Sequence, residues 1–239
     1  AAEYAVDNLL YGVVVSSRIA KGRITGIDDA AARAVPGVVE VITHENRPHE
    51  AWLDHSWKDE LKIPGEPFKA FHDDKIQFAG QPIAVVLAET FEAARFGASL
   101  VEVAYDAEPH NVDFTASLDE KFLPAHFKRR NTFHPPKSRG DAPAAFEQAA
   151  LKVEGEYHLA PEHHNPMEMH ASTVEWHGDG RITVYDKTQG SQGVQAYLAS
   201  AFGFSKKNVR VVNAYVGGGF GSGLRPQWQV QVATLAAKK

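Results

Sequence analysis

The sequence holds no cysteine, which excludes disulfides, thiolate zinc sites, iron–sulfur ligation and cysteine nucleophiles within this polypeptide. Compartment therefore cannot be read from thiol usage. The chain also lacks any run of about 18 or more apolar residues that could cross a bilayer, and residues 1–8 carry no basic segment followed by an apolar one, as an export signal would. Basic charge is not in excess: 25 Lys and Arg stand against 30 Asp and Glu, a formal net charge of -5. The charges are mixed along the chain, without the cationic stripe that a phosphate backbone requires, so nucleic acid binding is not expected. What is present is 44% hydrophobic residues over 239 positions, enough to bury the core of one large domain or two ordinary ones. The expectation is a soluble globular protein.

Apolar periodicity organises the first hundred residues. Positions 10–15 are an apolar β-branched run and 23–28 a shorter alternating one, both read as strands. Positions 29–34 form an alanine-rich helical turn stopped by Pro36-Gly37, and 38–43 return to strand character. Gly80-Gln81-Pro82 turns the chain into a strand over 83–88. Thr90 is then placed to cap a helix whose Phe91, Ala94 and Ala98 share a face, and a strand over 100–105 closes the unit. From 108 to 138 periodicity disappears. Pro109, Pro124, Pro135 and Pro136, with Lys128-Arg129-Arg130, read as an extended linker between domains at 1–107 and 139–239.

In the second domain, 142–150 is a short helix. Leu151, Val153, Tyr157 and Leu159 then alternate with Lys152, Glu154, Glu156 and His158, predicting a half-buried strand with a bulge at Gly155. Strands over 171–176 and 181–185 flank His177-Gly178-Asp179-Gly180, a hairpin loop. Ser191 is read as the N-cap of a helix carrying Val194, Tyr197, Leu198 and Ala201 on one face and ending near Gly203. A buried strand follows over 209–216. Positions 4–6 start without a lead-in and 230–239 read as a helix still running, so the chain is expected to be truncated. A natural terminal helix is the alternative.

Three segments could carry chemistry. Tyr215-Val216-Gly217-Gly218-Gly219-Phe220-Gly221-Ser222-Gly223 places glycines between a strand and a helical stretch, where backbone N–H groups can approach a ligand without interference from Cβ. A flexible turn is the alternative, and the spacing does not match a dinucleotide fingerprint. Glu162-His163-His164-Asn165-Pro166-Met167-Glu168-Met169-His170 gathers three histidines and two carboxylates. His163 and His164 are adjacent and His170 lies beyond a proline, so no helix holds histidines at i and i+4 as a metalloprotease requires. Lys187-Thr188-Gln189-Gly190-Ser191 ends a strand, presents a side-chain amide and begins a helix whose N-terminus favours negative charge. An ordinary capped loop is its alternative.

Taken in order, Phe78-Ala79-Gly80-Gln81-Pro82-Ile83-Ala84, Glu92-Ala93-Ala94-Arg95, Val101-Glu102-Val103-Ala104-Tyr105, Pro166-Met167-Glu168-Met169-His170, Thr188-Gln189-Gly190 and Gly217-Gly218-Gly219-Phe220-Gly221 resemble the large subunit of the xanthine dehydrogenase and aldehyde oxidase family. The resemblance covers essentially the whole chain and is greatest to bacterial three-subunit aldehyde oxidoreductases. It implies an α+β fold: an α/β hammerhead domain followed by the first part of a molybdopterin-binding mixed α/β domain. The implied cofactor is molybdopterin with molybdenum, plain or as the cytosine dinucleotide, in the full-length parent. The metal is held by the pterin dithiolene, so zero cysteines becomes expected and no protein metal ligand is assigned here.

The resemblance further implies hydroxylation of an aldehyde or an N-heterocycle such as xanthine, with water as oxygen source and electrons passing to iron–sulfur and FAD subunits. It assigns Gln189 to the neighbourhood of the apical oxo group, and Gly219, Phe220 and Gly221 to an aromatic wall and backbone donors. The general-base glutamate belongs to a later part of the family sequence, so no catalytic residue is assigned here, Glu168 included, and this chain alone is expected to be inactive. Where many xanthine-oxidising members continue Gly-Lys-Glu after the loop, this chain has Gly223-Leu224. An apolar Leu224 in the substrate pocket favours aldehyde over purine. The bacterial cytoplasm and periplasm both remain open. The rival readings are a non-catalytic subunit-assembly module and a metal-dependent hydrolase using His163, His164 or His170.

Overall fold

The computed structural model describes residues 3–52, 68–121 and 139–239. The linker features expected at Pro124, Lys128-Arg129-Arg130, Pro135 and Pro136 lie outside them. The chain packs as two units, one made of 1–62, 66–111 and 164–239, the other of 63–65 and 112–163.

The first unit opens with β1 (Tyr11–Ser16), β2 (Gly22–Asp28), α1 (Ala30–Arg33), β3 (Val38–Thr43), the two-residue β4 (Lys75–Ile76), β5 (Pro82–Ala88), α2 (Phe91–Ser99) and β6 (Glu102–Ala107). Every residue of β5 is buried, because it is the central strand of an antiparallel sheet in the order β1-β5-β3. This is why its sequence is a continuous apolar run rather than an alternation. A second antiparallel sheet runs β4-β2-β6. Thr90 caps α2 as the sequence predicts, its hydroxyl accepting the Ala93 N–H at 3.1 Å. Gln81 closes the turn before β5. Its Oε1 accepts the Gln77 N–H at 2.8 Å and its Nε2 donates to the Lys75 carbonyl at 2.7 Å.

The same unit continues through a third sheet. In chain order it contributes β7 (Ser172–Trp176) and β8 (Ile182–Asp186), with β9 (Val209–Val212) after α4 (Ser191–Phe202) and before α5 (Trp228–Lys238). β7 and β8 form the expected antiparallel hairpin, and Gly178, Asp179 and Gly180 all take positive φ in its loop. β8 and β9 are parallel, a geometry that needs a crossover, supplied by α4. Their carboxyl ends consequently lie side by side, the position from which ligands are bound in parallel sheets.

One core cluster joins Ile42, Phe71, Val85 and Leu87 from the early part of the chain to Ile182, Leu198, Val230 and Leu235 from the later part. A buried polar chain reinforces it. Gln231 on α5 accepts the Ala70 N–H at 3.1 Å and donates to Glu50 at 2.5 Å, and Arg47 holds the other Glu50 oxygen at 2.7 Å.

Three local expectations are corrected. Ser191 is not the N-cap of α4: Gly190 is, since its carbonyl accepts the first helical N–H, that of Val194, at 3.1 Å. The strand expected over 209–216 stops at Val212, where its ladder partner β8 has ended. In the second unit, α3 (Ala142–Gln148) forms with Asp141 as its cap, but the alternating stretch that follows is not a strand and has no bulge at Gly155. Leu151, Val153, Tyr157 and Leu159 are all more than four-fifths exposed. Alternation marks which side chains would share a face, but a strand exists only as a member of a ladder, and no described residue pairs with this stretch.

Candidate cofactor site

Two loops leave the carboxyl ends of β8 and β9 and are locked together by reciprocal hydrogen bonds. The Gln189 N–H donates to the Gly223 carbonyl at 2.8 Å, and the Gly223 N–H donates to Gln189 Oε1 at 3.1 Å. Thr188 Oγ1 donates to the same Gly223 carbonyl at 3.2 Å and accepts the Gly190 N–H at 3.0 Å. Asn213 Nδ2 donates to the Thr188 carbonyl from the end of β9. Gln189 Oε1 is thus engaged, while Nε2 takes no part in these bonds. Gln189 itself is exposed, while Gly219 and Gly223 beneath it are buried.

The glycine loop is internally braced. The Ser222 N–H and hydroxyl donate to the Gly219 carbonyl at 2.8 and 2.7 Å, the Leu224 N–H donates to the Gly221 carbonyl at 3.1 Å, and Gln227 Nε2 donates to the Ser222 carbonyl at 2.7 Å. The N–H groups of Gly219, Phe220 and Gly221 take no part in these bonds. A Cβ on Gly219 would fall 2.3 Å from Gln189 Cδ, and one on Gly217, at φ 60°, would fall 2.3 Å from Glu168 Cβ. Glycine is therefore required at both positions by close approach. Phe220 holds φ 49° with its ring mostly in solvent, a conformation rare for a residue with a side chain. Leu224 is half-exposed beside it in sequence.

Of the histidine segment, Glu168 packs on the loop through Gly217, and His164 Nε2 comes to 4.0 Å of where a Gly221 Cβ would lie. His163 falls in the other unit and is exposed. Among the described residues no group of three or more His, Asp or Glu side chains is placed to hold a metal ion. Partial desolvation, with the charges of Lys187 and His164, lowers the His170 pKa below the ordinary histidine value. Burial raises that of Asp186, against the Ser172 hydroxyl that donates to it at 2.5 Å and the charge of Lys187.

A family model described as the aldehyde oxidase and xanthine dehydrogenase a/b hammerhead domain matches residues 2–109, and one for the molybdopterin cofactor-binding domain matches 125–239. The chain belongs to the aldehyde oxidase and xanthine dehydrogenase family. It is 36% identical over 231 residues to the aldehyde oxidoreductase molybdenum-binding subunit PaoC of Escherichia coli O157:H7, covering 97% of this chain and 29% of that one. To the xanthine dehydrogenase molybdenum-binding subunit of the same organism it is 28% identical over 222 residues, covering 92% and 30%. The chain thus spans about three tenths of the length of these relatives. In fold it resembles the aldehyde oxidoreductase of Desulfovibrio gigas, with a TM-score of 0.75 at 23% identity over 96% of this chain and 26% of that one. Quinoline 2-oxidoreductase from Pseudomonas putida 86 gives a TM-score of 0.75 at 21% identity, covering 99% and 31%. The α+β class and the succession of hammerhead and molybdopterin-binding domains agree with the sequence reading.

The structure brings Gln189, Gly219 and Leu224's loop together, with Phe220 and Gly221 on the same turn. Sequence reasoning missed Lys187. It is 1% exposed, with no hydrogen-bond partner for Nζ. Lysine is a surface residue by default, and the one available signal was its position between a buried strand and the Thr-Gln-Gly corner.

Proposed function

We propose that this chain is the amino-terminal part of the molybdenum-binding subunit of a hydroxylase that oxidises aldehydes in preference to purines. Its modules would be 1–107 and 139–239, joined by 108–138. The observation that carries the reading is the Gln189 amide, held by the Gly223 N–H close over Gly219, near the N–H groups of Phe220 and Gly221 that the loop's own bonds leave out. Such a row of fixed donors suits an oxygen-rich ligand. The missing Cβ atoms of Gly217 and Gly219 leave no room to spare around it, and the orphaned polar atom of Lys187 supports a missing polar group nearby.

Gln189, Gly219, Phe220 and Gly221 would hold molybdopterin, either plain or as the cytosine dinucleotide, which supplies two-electron oxidation with water as the oxygen source. In this assignment Gln189 orients an oxygen acceptor through Nε2, and the braced loop N–H groups keep that acceptor in register. Leu224 offers an apolar contact where a carboxylate would grip a purine's N–H groups. Electrons would leave to an iron–sulfur subunit and an FAD subunit, and the proton-abstracting glutamate would come from elsewhere in the parent. No helix of the described residues is long and apolar enough to cross a membrane.

The test is the full-length parent purified with its co-expressed partners. Stoichiometric molybdenum, and faster turnover of benzaldehyde than of xanthine, is the expected result. Stoichiometric zinc without molybdenum would overturn it in favour of a histidine-site hydrolase, and absence of any cofactor would favour an assembly module.

A further inference from the structure

Among the described residues, two buried polar side-chain atoms around the end of β8, Lys187 Nζ and Asn213 Oδ1, have no hydrogen-bond partner. Asn213 is tied to the Thr188 carbonyl through its other amide atom, and Gln229 lies beside Asp186. Of these two, only Lys187 carries a charge, and it is among the largest fully buried side chains of the described residues. An ammonium removed from water is strongly unfavourable unless an anion faces it.

Among the described residues no anion is hydrogen-bonded to the Lys187 ammonium. Asp186 is adjacent in sequence and senses the charge of Lys187, but its carboxylate accepts the Ser172 hydroxyl and makes no hydrogen bond with Nζ. Burial also favours its protonated form. His170, whose pKa the charge of Lys187 helps to lower, is a base and supplies no negative charge.

We propose that Lys187 is an anion-pairing site, its buried ammonium taking an anionic oxygen group that the described residues do not supply. Two sources carry that chemistry: a carboxylate side chain from the rest of the parent polypeptide, or a phosphate of the pterin cofactor. The second source rests on the function proposed above; the first does not.

The test uses the full-length parent with its partner subunits, prepared both with cofactor and from cells unable to make the pterin, carrying Lys187→Met, Lys187→Gln or Lys187→Arg. If a protein carboxylate is the partner, Lys187→Met and Lys187→Gln lower the thermal midpoint of the cofactor-free parent by roughly 3 °C or more, and Lys187→Arg restores most of it. If the cofactor phosphate is the partner, the cofactor-free midpoints match wild type. Pterin content, read by fluorescence after oxidation, then falls about tenfold in both neutral variants, and inorganic phosphate raises the midpoint of cofactor-free wild type but not of Lys187→Met. The proposal is overturned if Lys187→Gln matches wild type in both midpoint and pterin content, whether or not Lys187→Met folds, because water or a neutral amine then satisfies the site. A wild-type parent that contains no pterin would sink the proposed function while leaving the carboxylate arm intact.

Discussion

Gln189 occupies the space that a side chain on Gly219 would need: an ideal Cβ there lies 2.3 Å from Cδ and 2.6 and 2.7 Å from the amide oxygen and nitrogen. Gly219→Ala must therefore push the amide out of its place, while the backbone at 219 needs no positive φ. In the full-length parent, kcat/KM for an aldehyde should fall about 10- to 100-fold, as displacement of a positioned group by about 1 Å does. The thermal midpoint should change little. Unchanged kcat/KM would show that Gln189 is not positioned for turnover.

Leu224 is half-exposed next to the braced loop. Replacing it with a carboxylate, Leu224→Glu, should lower kcat/KM for benzaldehyde by about tenfold or more, since an apolar contact is exchanged for a charge that must be desolvated. Steady-state kinetics on benzaldehyde and xanthine with the same enzyme preparation gives the comparison. An increase for benzaldehyde would remove Leu224 from the substrate pocket.

Gln231 is 1% exposed and bridges the Ala70 N–H and Glu50. Gln231→Leu leaves a buried donor and a buried carboxylate oxygen without that partner, so the chain should lose about 1–3 kcal/mol of stability. Urea denaturation of wild type and variant, compared at equal slope, measures it.

Asp186 gives a pH signature. Its pKa is raised by burial above that of the unfolded chain, so folding favours the protonated form. That contribution is fully present below the ordinary aspartate value of about 3.9 and is lost as pH rises through the raised value. Between those two points wild type should lose stability relative to Asp186→Asn, whose profile should be flatter. Denaturation midpoints of both proteins across about pH 4 to 7 would reveal it, and parallel profiles would contradict it.

Thr90 provides a control away from the site. Its hydroxyl caps α2, so Thr90→Ala should cost about 1 kcal/mol of stability and leave the turnover of the parent unchanged.

Much of the fold was legible because it is written in local chemistry. The apolar run of β5, the hairpin glycines at 178 and 180 and the left-handed Gly203 that ends α4 each depend on residues close in sequence. The Ser191 cap failed for an equally local reason: the hydroxyl of Thr188 already engages the Gly190 N–H, and Gly190 begins the helix. The stretch 151–159 shows the limit of such reading, since its alternation is sound but no described residue pairs with it.

By itself, then, the sequence determined most of the strands, the hairpin turn, the order of the two domains and the segments bearing Gln189 and the glycine loop, because propensity, periodicity and motif act over a few residues. Only tertiary structure decided that Gly219 exists to admit Gln189 and that Gly223 orients its amide. It likewise decided that Gln231 joins α5 to Glu50 and that Lys187 is enclosed with no hydrogen-bond partner for Nζ among the described residues. Those relationships link positions tens to more than a hundred residues apart, and burial, the quantity that turns an ordinary lysine or glutamine into a constrained one, has no value until the chain has folded.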